Sequence, residues 1–195
     1  MRNKKKRIES LYSHPPQDGR VICVDEFGPL EVRPYPGKDW RKEKKPKRLP
    51  ADYTRKHGVR HLFAAYDLKS DKLYGHNRRQ KTSRDFLLFL QVLRHRYHRS
   101  ERLYIVLDNF SIHKTTKVRE FAIENNIELV FTPTYSSWLN RIECHFAPLR
   151  SFVLSGSNYL NHDELADAIQ KYLRWRNKNA KSKELLRLQK RVKVA

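Results

Sequence analysis

An α/β fold, a mixed sheet flanked by helices, follows from three features of the sequence. Two short apolar runs, Val21–Val24 and Tyr104–Leu107, have the length and β-branched content of buried strands. Strands alternate with helical patterns through the second half, as parallel strands joined by helical crossovers require. Two strand-like segments near residues 60–75 read as a hairpin, which adds an antiparallel portion.

The elements follow in order. Residues 1–19 read as a basic N-terminal tail and linker ending in Pro15-Pro16-Gln17-Asp18-Gly19. Val21–Val24 is a short strand that Asp25 ends. Residues 34–58 are rich in proline, glycine and charge and read as a long insertion, of a length usually tied to function or disorder. Residues 60–66 and 72–75 form the hairpin, with 67–71 as its turn. Thr82 caps a helix, with Asp85 three residues on, and Phe86, Leu90, Leu93 and Tyr97 share one face. Leu103–Leu107 is the next strand. A helix opens at Thr115 or Thr116 with Val118, Phe121 and Ala122 inward, and Ile127–Phe131 is a strand closed by Thr132-Pro133. Leu139, Ile142, Phe146, Leu149 and Val153 recur at helical spacing, with Pro148 placed to kink or split that helix. Asn161 and Glu164 cap a last helix carrying Leu165, Ile169, Tyr172 and Leu173. The division expected is a domain over 20–177 between a basic tail at 1–19 and another at 178–195.

The 195 residues include 42 Lys or Arg against 21 Asp or Glu, a net charge of +21. That excess exceeds what solubility needs and points to a polyanion, nucleic acid first. A structural, ribosome-like binder would share the charge but gives no reason for the carboxylates described next. Cys23 and Cys144 are the two cysteines, both in core-adjacent elements, and read as reduced thiols of an intracellular protein. Cytoplasm, in contact with the nucleoid, is the expected location. No apolar stretch follows the basic start, so neither a signal peptide nor a membrane span is expected. No CxxC pair or HExxH motif makes a case for zinc.

Asp25, Asp108 and Glu143 carry the chemistry. Asp25 and Asp108 each follow an apolar run, at strand ends where open sheets place their sites. Glu143 reads as the start of a helix, at the rim of the stripe from Leu139 to Phe146. The 34 residues between Asp108 and Glu143 hold a helix, a strand and a helix start, a path that can return Glu143 to Asp108. Carboxylates suit Mg²⁺, a hard cation that takes oxygen ligands. Two such ions roughly 3.5–4 Å apart can clamp the attacking and leaving oxygens of a phosphodiester.

Three blocks carry a resemblance. They are Val24-Asp25-Glu26, Leu107-Asp108-Asn109-Phe110-Ser111-Ile112-His113, and Pro133-Thr134-Tyr135-Ser136-Ser137-Trp138-Leu139-Asn140-Arg141-Ile142-Glu143. Together they resemble the DDE transposases of the mariner superfamily, in its bacterial insertion-sequence branch, over roughly residues 20–176. The resemblance implies a ribonuclease-H-like fold and two Mg²⁺ ions, with Mn²⁺ as a substitute. It implies metal-dependent DNA cleavage and strand transfer at transposon ends. Asp25, Asp108 and Glu143 match the family's catalytic, metal-binding triad. Transposon-end and target DNA are the implied partners, with a homodimer and a separate helix-turn-helix chain as further candidates. Arg141 stands where the family usually has proline. About 19 residues precede the first strand, where family members carry helix-turn-helix modules. The sequence alone therefore reads as a catalytic half, a split frame or a decayed copy. The alternative function is a non-catalytic DNA-binding remnant or regulator lacking the end-recognition modules.

The expected DNA contacts are Arg41, Lys42, Lys44, Lys45, Lys47 and Arg48 in the insertion, with His113 and Lys114 after Asp108. For His113 three readings stand open: a capping or core residue, a phosphate contact, or a group that orders the site. Glu26 points away from Asp25 if the strand persists, which leaves a supporting role open. Trp138 reads either as a base-stacking or a buried aromatic.

Overall fold

The computed structural model describes residues 2–37, 42–44, 48, 50 and 57–180. Its elements are α1 (Arg2–Ser13), β1 (Gly19–Glu31), β2 (Val59–Asp67), β3 (Lys72–Arg78), α2 (Ser83–Arg94), β4 (Arg102–Leu107), α3 (Thr116–Glu124), β5 (Ile127–Phe131), α4 (Phe146–Leu149) and α5 (His162–Lys178). The sheet runs β3-β2-β1-β4-β5, with β1 at its centre. β1 pairs antiparallel with β2 and parallel with β4, and β4 parallel with β5. This is the expected mixed sheet flanked by helices.

Alternation along the strands splits the core into two layers. Ile22, Val24, Ile105 and Leu107 face Phe86, Phe89, Leu90, Leu93, Val118 and Ala122 of α2 and α3. Val21, Cys23, Tyr104 and Val106 face the other way, toward Ile8, Leu11, Leu139, Ile142, Leu149 and α5. Thr82 Oγ1 accepts from the Asp85 amide at 3.1 Å, and Asn161 Oδ1 from Asp163 and Glu164, so both expected caps are formed. Among the described residues no helix is long and apolar enough to cross a membrane.

Three expectations are corrected. Residues 2–13 are a docked helix, not a tail. Ile8 and Leu11 are fully buried, and Arg7 Nε and Nη2 donate to Glu128 Oε1 of β5 at 3.2 and 2.9 Å. Asp25 does not end its strand. β1 runs on to Glu31 because β2 keeps pairing with it past the point where β4 stops, through Asp25↔Ala64 and Glu26↔Phe63. Glu143 does not open an ordinary helix. It begins a 3₁₀ turn, Glu143–His145, followed by α4 and a π-helical stretch, Arg150–Leu154. Pro148 lacks an N–H, so a regular ladder cannot run through this stretch.

The start of the insertion packs against the end of that segment. The Tyr35 amide donates to Ser157 O at 2.9 Å, and a Cβ on Gly37 would meet Gly156 N at 2.2 Å. Lys42, Lys44 and Arg48 are exposed, while Arg41, Lys45 and Lys47 lie outside the described residues, as do residues 181–195.

Candidate active site

The β1–β4 register decides the geometry. Cys23 lies opposite Val106 in a parallel ladder, so two residues on, Asp25 and Asp108 fall side by side. Both lie on the parity of Cys23 and Val106, which faces the layer containing Leu139 and Ile142. Glu143, one residue beyond Ile142, is thereby delivered to Asp25. The chain between is held at each step: Leu139 N–H bonds Ser136 O, Asn140 N–H bonds Ser137 O, and Glu143 N–H bonds Asn140 O at 3.1 Å.

Asn140 locks this turn to the central strand. Its side chain is buried, and Nδ2 donates to Val24 O at 2.8 Å and to Asp25 Oδ2 at 3.4 Å. The Glu26 amide donates to Asp25 Oδ1 at 2.7 Å, so both Asp25 oxygens are oriented. At the end of β4 the Phe110 amide donates to Asp108 Oδ1 at 2.9 Å, and Asn109 Nδ2 donates to Thr132 O, tying the ends of β4 and β5 together.

The three carboxylates feel one another. Burial, and then the charge of Glu143, push Asp25 up to about 7, with Asp108 adding to the rise. Glu143 is also raised, by desolvation and by Asp108, and shares a hydrogen bond with Asp25. Asp108 goes the other way. Burial works against its charge, but His113, the Phe110 amide and nearby Lys81 hold it below the usual carboxylate range.

His113 is fully buried beneath the site. Nδ1 lies 3.0 Å from Asp108 Oδ1 and Nε2 lies 2.9 Å from Glu26 Oε1, while the ring packs on Phe86 with centroids 4.2 Å apart. Burial alone would depress the imidazole, but its bonds to Asp108 and Glu26 outweigh that and raise it to about 9. A side chain with no exposed surface cannot touch DNA, so that reading of His113 is corrected. The ring orders the site, and Glu26 reaches it from the opposite face of β1.

Among the described residues no group of three or more His, Cys, Asp or Glu is already arranged to hold a metal ion. The donor set nonetheless fits a hard divalent cation. Asp25 and Glu143, whose proton affinities burial and neighbouring carboxylates raise, would be relieved by such a cation, and the Asn140 side-chain oxygen is buried beside them without a partner.

Cations and aromatics rim the carboxylates. Lys81 Nζ sits 5.2 Å from the centre of Phe110, Lys4 and Lys114 sit 5.9 and 5.6 Å from Phe131, and Lys5 sits 5.4 Å from Trp138. Trp138 is half exposed rather than buried. Sequence reading missed Asn140 and Lys81. A polar residue within the apolar spacing of Leu139 and Ile142 was a usable signal for Asn140. Nothing in the sequence marked Lys81.

Comparison with known proteins agrees with the fold described above. A family model described as "DDE superfamily endonuclease" matches residues 20–166. The insertion element IS630 uncharacterized 39 kDa protein of Shigella sonnei is 26% identical over 124 residues, covering 63% of this chain and 35% of that protein. The Mos1 strand transfer complex superposes with a TM-score of 0.69 at 17% identity, covering 97% of this chain and 57% of that one. The catalytic domain of Mos1 mariner transposase superposes with a TM-score of 0.63 at 15% identity, over 97% and 86%. Mos1 paired-end complexes are also similar, one with Mn and one with Mg. The shared fold is that of the ribonuclease-H-like catalytic domain. The chain spans about a third of the length of the curated relative.

Proposed function

The chain belongs to the DDE superfamily of endonucleases, and we propose that it is the strand-cutting and strand-joining unit of a DNA transposase. One observation carries the reading: the parallel register sets Asp25 beside Asp108, and the Asn140 turn sets Glu143 against Asp25. Three carboxylates converge in a chain of net charge +21, where phosphate is the natural ligand of the surface. The insertion-element relative and the Mos1 complexes support transposition as the biological setting.

Asp25, Asp108 and Glu143 would hold the divalent ions, Mg²⁺ first and Mn²⁺ in its place. Ions of this kind activate a water or a DNA 3′-hydroxyl and neutralise charge on the leaving oxygen. The chain's own groups prepare that site. His113 keeps Asp108 ionised and aimed. Asn140 and the Glu26 amide fix the Asp25 carboxylate. Lys81 adds positive charge beside Asp108, where it can meet an approaching phosphate. Exposed Lys42, Lys44 and Arg48, with Lys114 at the rim, would hold the DNA backbone, joined by Arg41, Lys45 and Lys47. Joining two transposon ends also calls for a second copy of the chain and for a module that reads the end sequence. The reaction belongs at the nucleoid.

A cleavage and joining assay tests the proposal. The chain is given a duplex with a free 3′-hydroxyl and a supercoiled target, with Mg²⁺, Mn²⁺, Ca²⁺, Zn²⁺ or EDTA. Mg²⁺ and Mn²⁺ should support nicking and joining, and Ca²⁺ should support binding with little reaction, because its looser coordination misplaces the reacting oxygens. Cleavage in EDTA, or only with Zn²⁺, would rule the proposal out.

A further inference from the structure

We propose that α1 is part of the site, with Tyr12 a positioning residue that ties the strand carrying Asp25 to the turn carrying Glu143. This rests on the function proposed above. The Tyr12 hydroxyl donates to Leu139 O at 2.8 Å and lies 3.2 Å from Cys23 Sγ. Cys23 is two residues before Asp25 on the same face of β1. Leu139 immediately precedes Asn140, whose carbonyl receives the Glu143 amide. One phenol thus touches both arms of the carboxylate pair.

The tie has work to oppose. Asp25 and Glu143 are carboxylates carried close together by β1 and this turn, and like charges repel when both are ionised. Among the described contacts, Asn140 ties the turn directly to β1 at Val24 O and Asp25 Oδ2, and Tyr12 ties it through α1, reaching both Leu139 O and Cys23 Sγ. Tyr12 is itself anchored. Ile8 and Leu11 fill the core beside Leu139 and Ile142, and the Arg141 guanidinium lies 4.2 Å over the Tyr12 ring. Burial raises the phenol further above its ordinary range, so the hydroxyl stays a donor at any working pH. Arg141 stands where the mariner-type pattern has proline, and in this chain its side chain closes the phenol's other face.

Tyr12→Phe keeps the ring and removes the hydroxyl. Hydrogen exchange of the whole chain, read by mass spectrometry, should show lost protection in peptides spanning 136–145, with β2 and β3 unchanged. Mn²⁺ affinity, measured by calorimetry without DNA, should fall about tenfold, as for other groups that orient metal ligands. The cleavage rate should fall with it, while DNA affinity holds within about twofold. Unchanged protection at 136–145 overturns the inference, whether or not the chain cleaves DNA. So does unchanged Mn²⁺ affinity in a variant whose wild-type parent binds the ion. Loss of protection across the whole chain would also overturn it, since that marks a folding role only. A wild-type chain that neither binds Mn²⁺ nor cleaves instead counts against the proposed function, and the exchange measurement still decides the tie.

Discussion

The imidazole of His113 meets the carboxylate of Asp108 at 3.0 Å from a position with no exposed surface, and its other nitrogen is spent on Glu26. A carboxylate at the site is thus oriented from below by a group that solvent and DNA cannot reach. Arrangements of this kind hold a ligand carboxylate in one rotamer and one charge state.

That contact makes stability depend on pH. His113 titrates near 9 in the fold against 6.5 as its ordinary value, so the folded state holds this proton more tightly. The stabilisation is complete below about pH 6.5 and is lost as pH rises through 9. Between pH 7 and 9, urea unfolding of the wild type should lose about 2–3 kcal/mol. His113→Gln should be less stable at pH 7 and nearly flat across that window. A wild-type curve without this fall would contradict the assignment of a charged imidazole.

Asp25 predicts the opposite sign for its own substitution. Its folded proton affinity is raised to about 7, so the ionised form burdens the fold, and stability falls as pH rises from 3.8 toward 7. At pH 8 without divalent ions, Asp25→Asn should be more stable by about 1–3 kcal/mol, a few degrees in melting temperature. Mn²⁺ should then raise the melting temperature of the wild type and leave the variant nearly unmoved. A destabilised variant would mean that the carboxylate is satisfied by the protein alone.

Lys4 and Lys114 flank the Phe131 ring from α1 and from the 3₁₀ turn Ser111–Lys114 after β4. If both face DNA phosphates, replacing the pair by Ala should flatten the log–log salt dependence of duplex binding by about 0.9 for each contact. The loss should be equal for unrelated sequences, since phosphate contacts position without specifying. An unchanged slope would place the DNA elsewhere.

Much of this arrangement was legible in the sequence, for physical reasons. Apolar runs before Asp25 and Asp108 gave away their strands, and the hairpin and the caps at Thr82 and Asn161 were written in local turn and capping chemistry. What sequence reading missed depends on long-range pairing. Helix α1 shows few apolar positions among its lysines, and Ile8, Leu11 and Tyr12 declare their spacing only once a sheet lies beneath them. β1 outlasts Asp25 because β2 pairs with it there, which no local pattern around Gly28 and Pro29 announces. The role of His113 needed Glu26 brought to it from 87 residues away.

The central claim is that Asp25, Asp108 and Glu143 together form a divalent-metal nuclease site. Asp108→Asn tests it most directly, because the amide keeps the shape, removes the charge and leaves the Phe110 amide an oxygen to bond. Plasmid cleavage by wild type and variant should be followed in Mg²⁺ and Mn²⁺, with DNA affinity measured beside it. The account predicts cleavage by the wild type in both ions, none detectable from Asp108→Asn, and DNA affinity unchanged or higher in the variant. Cleavage by the purified variant at the wild-type rate would contradict it.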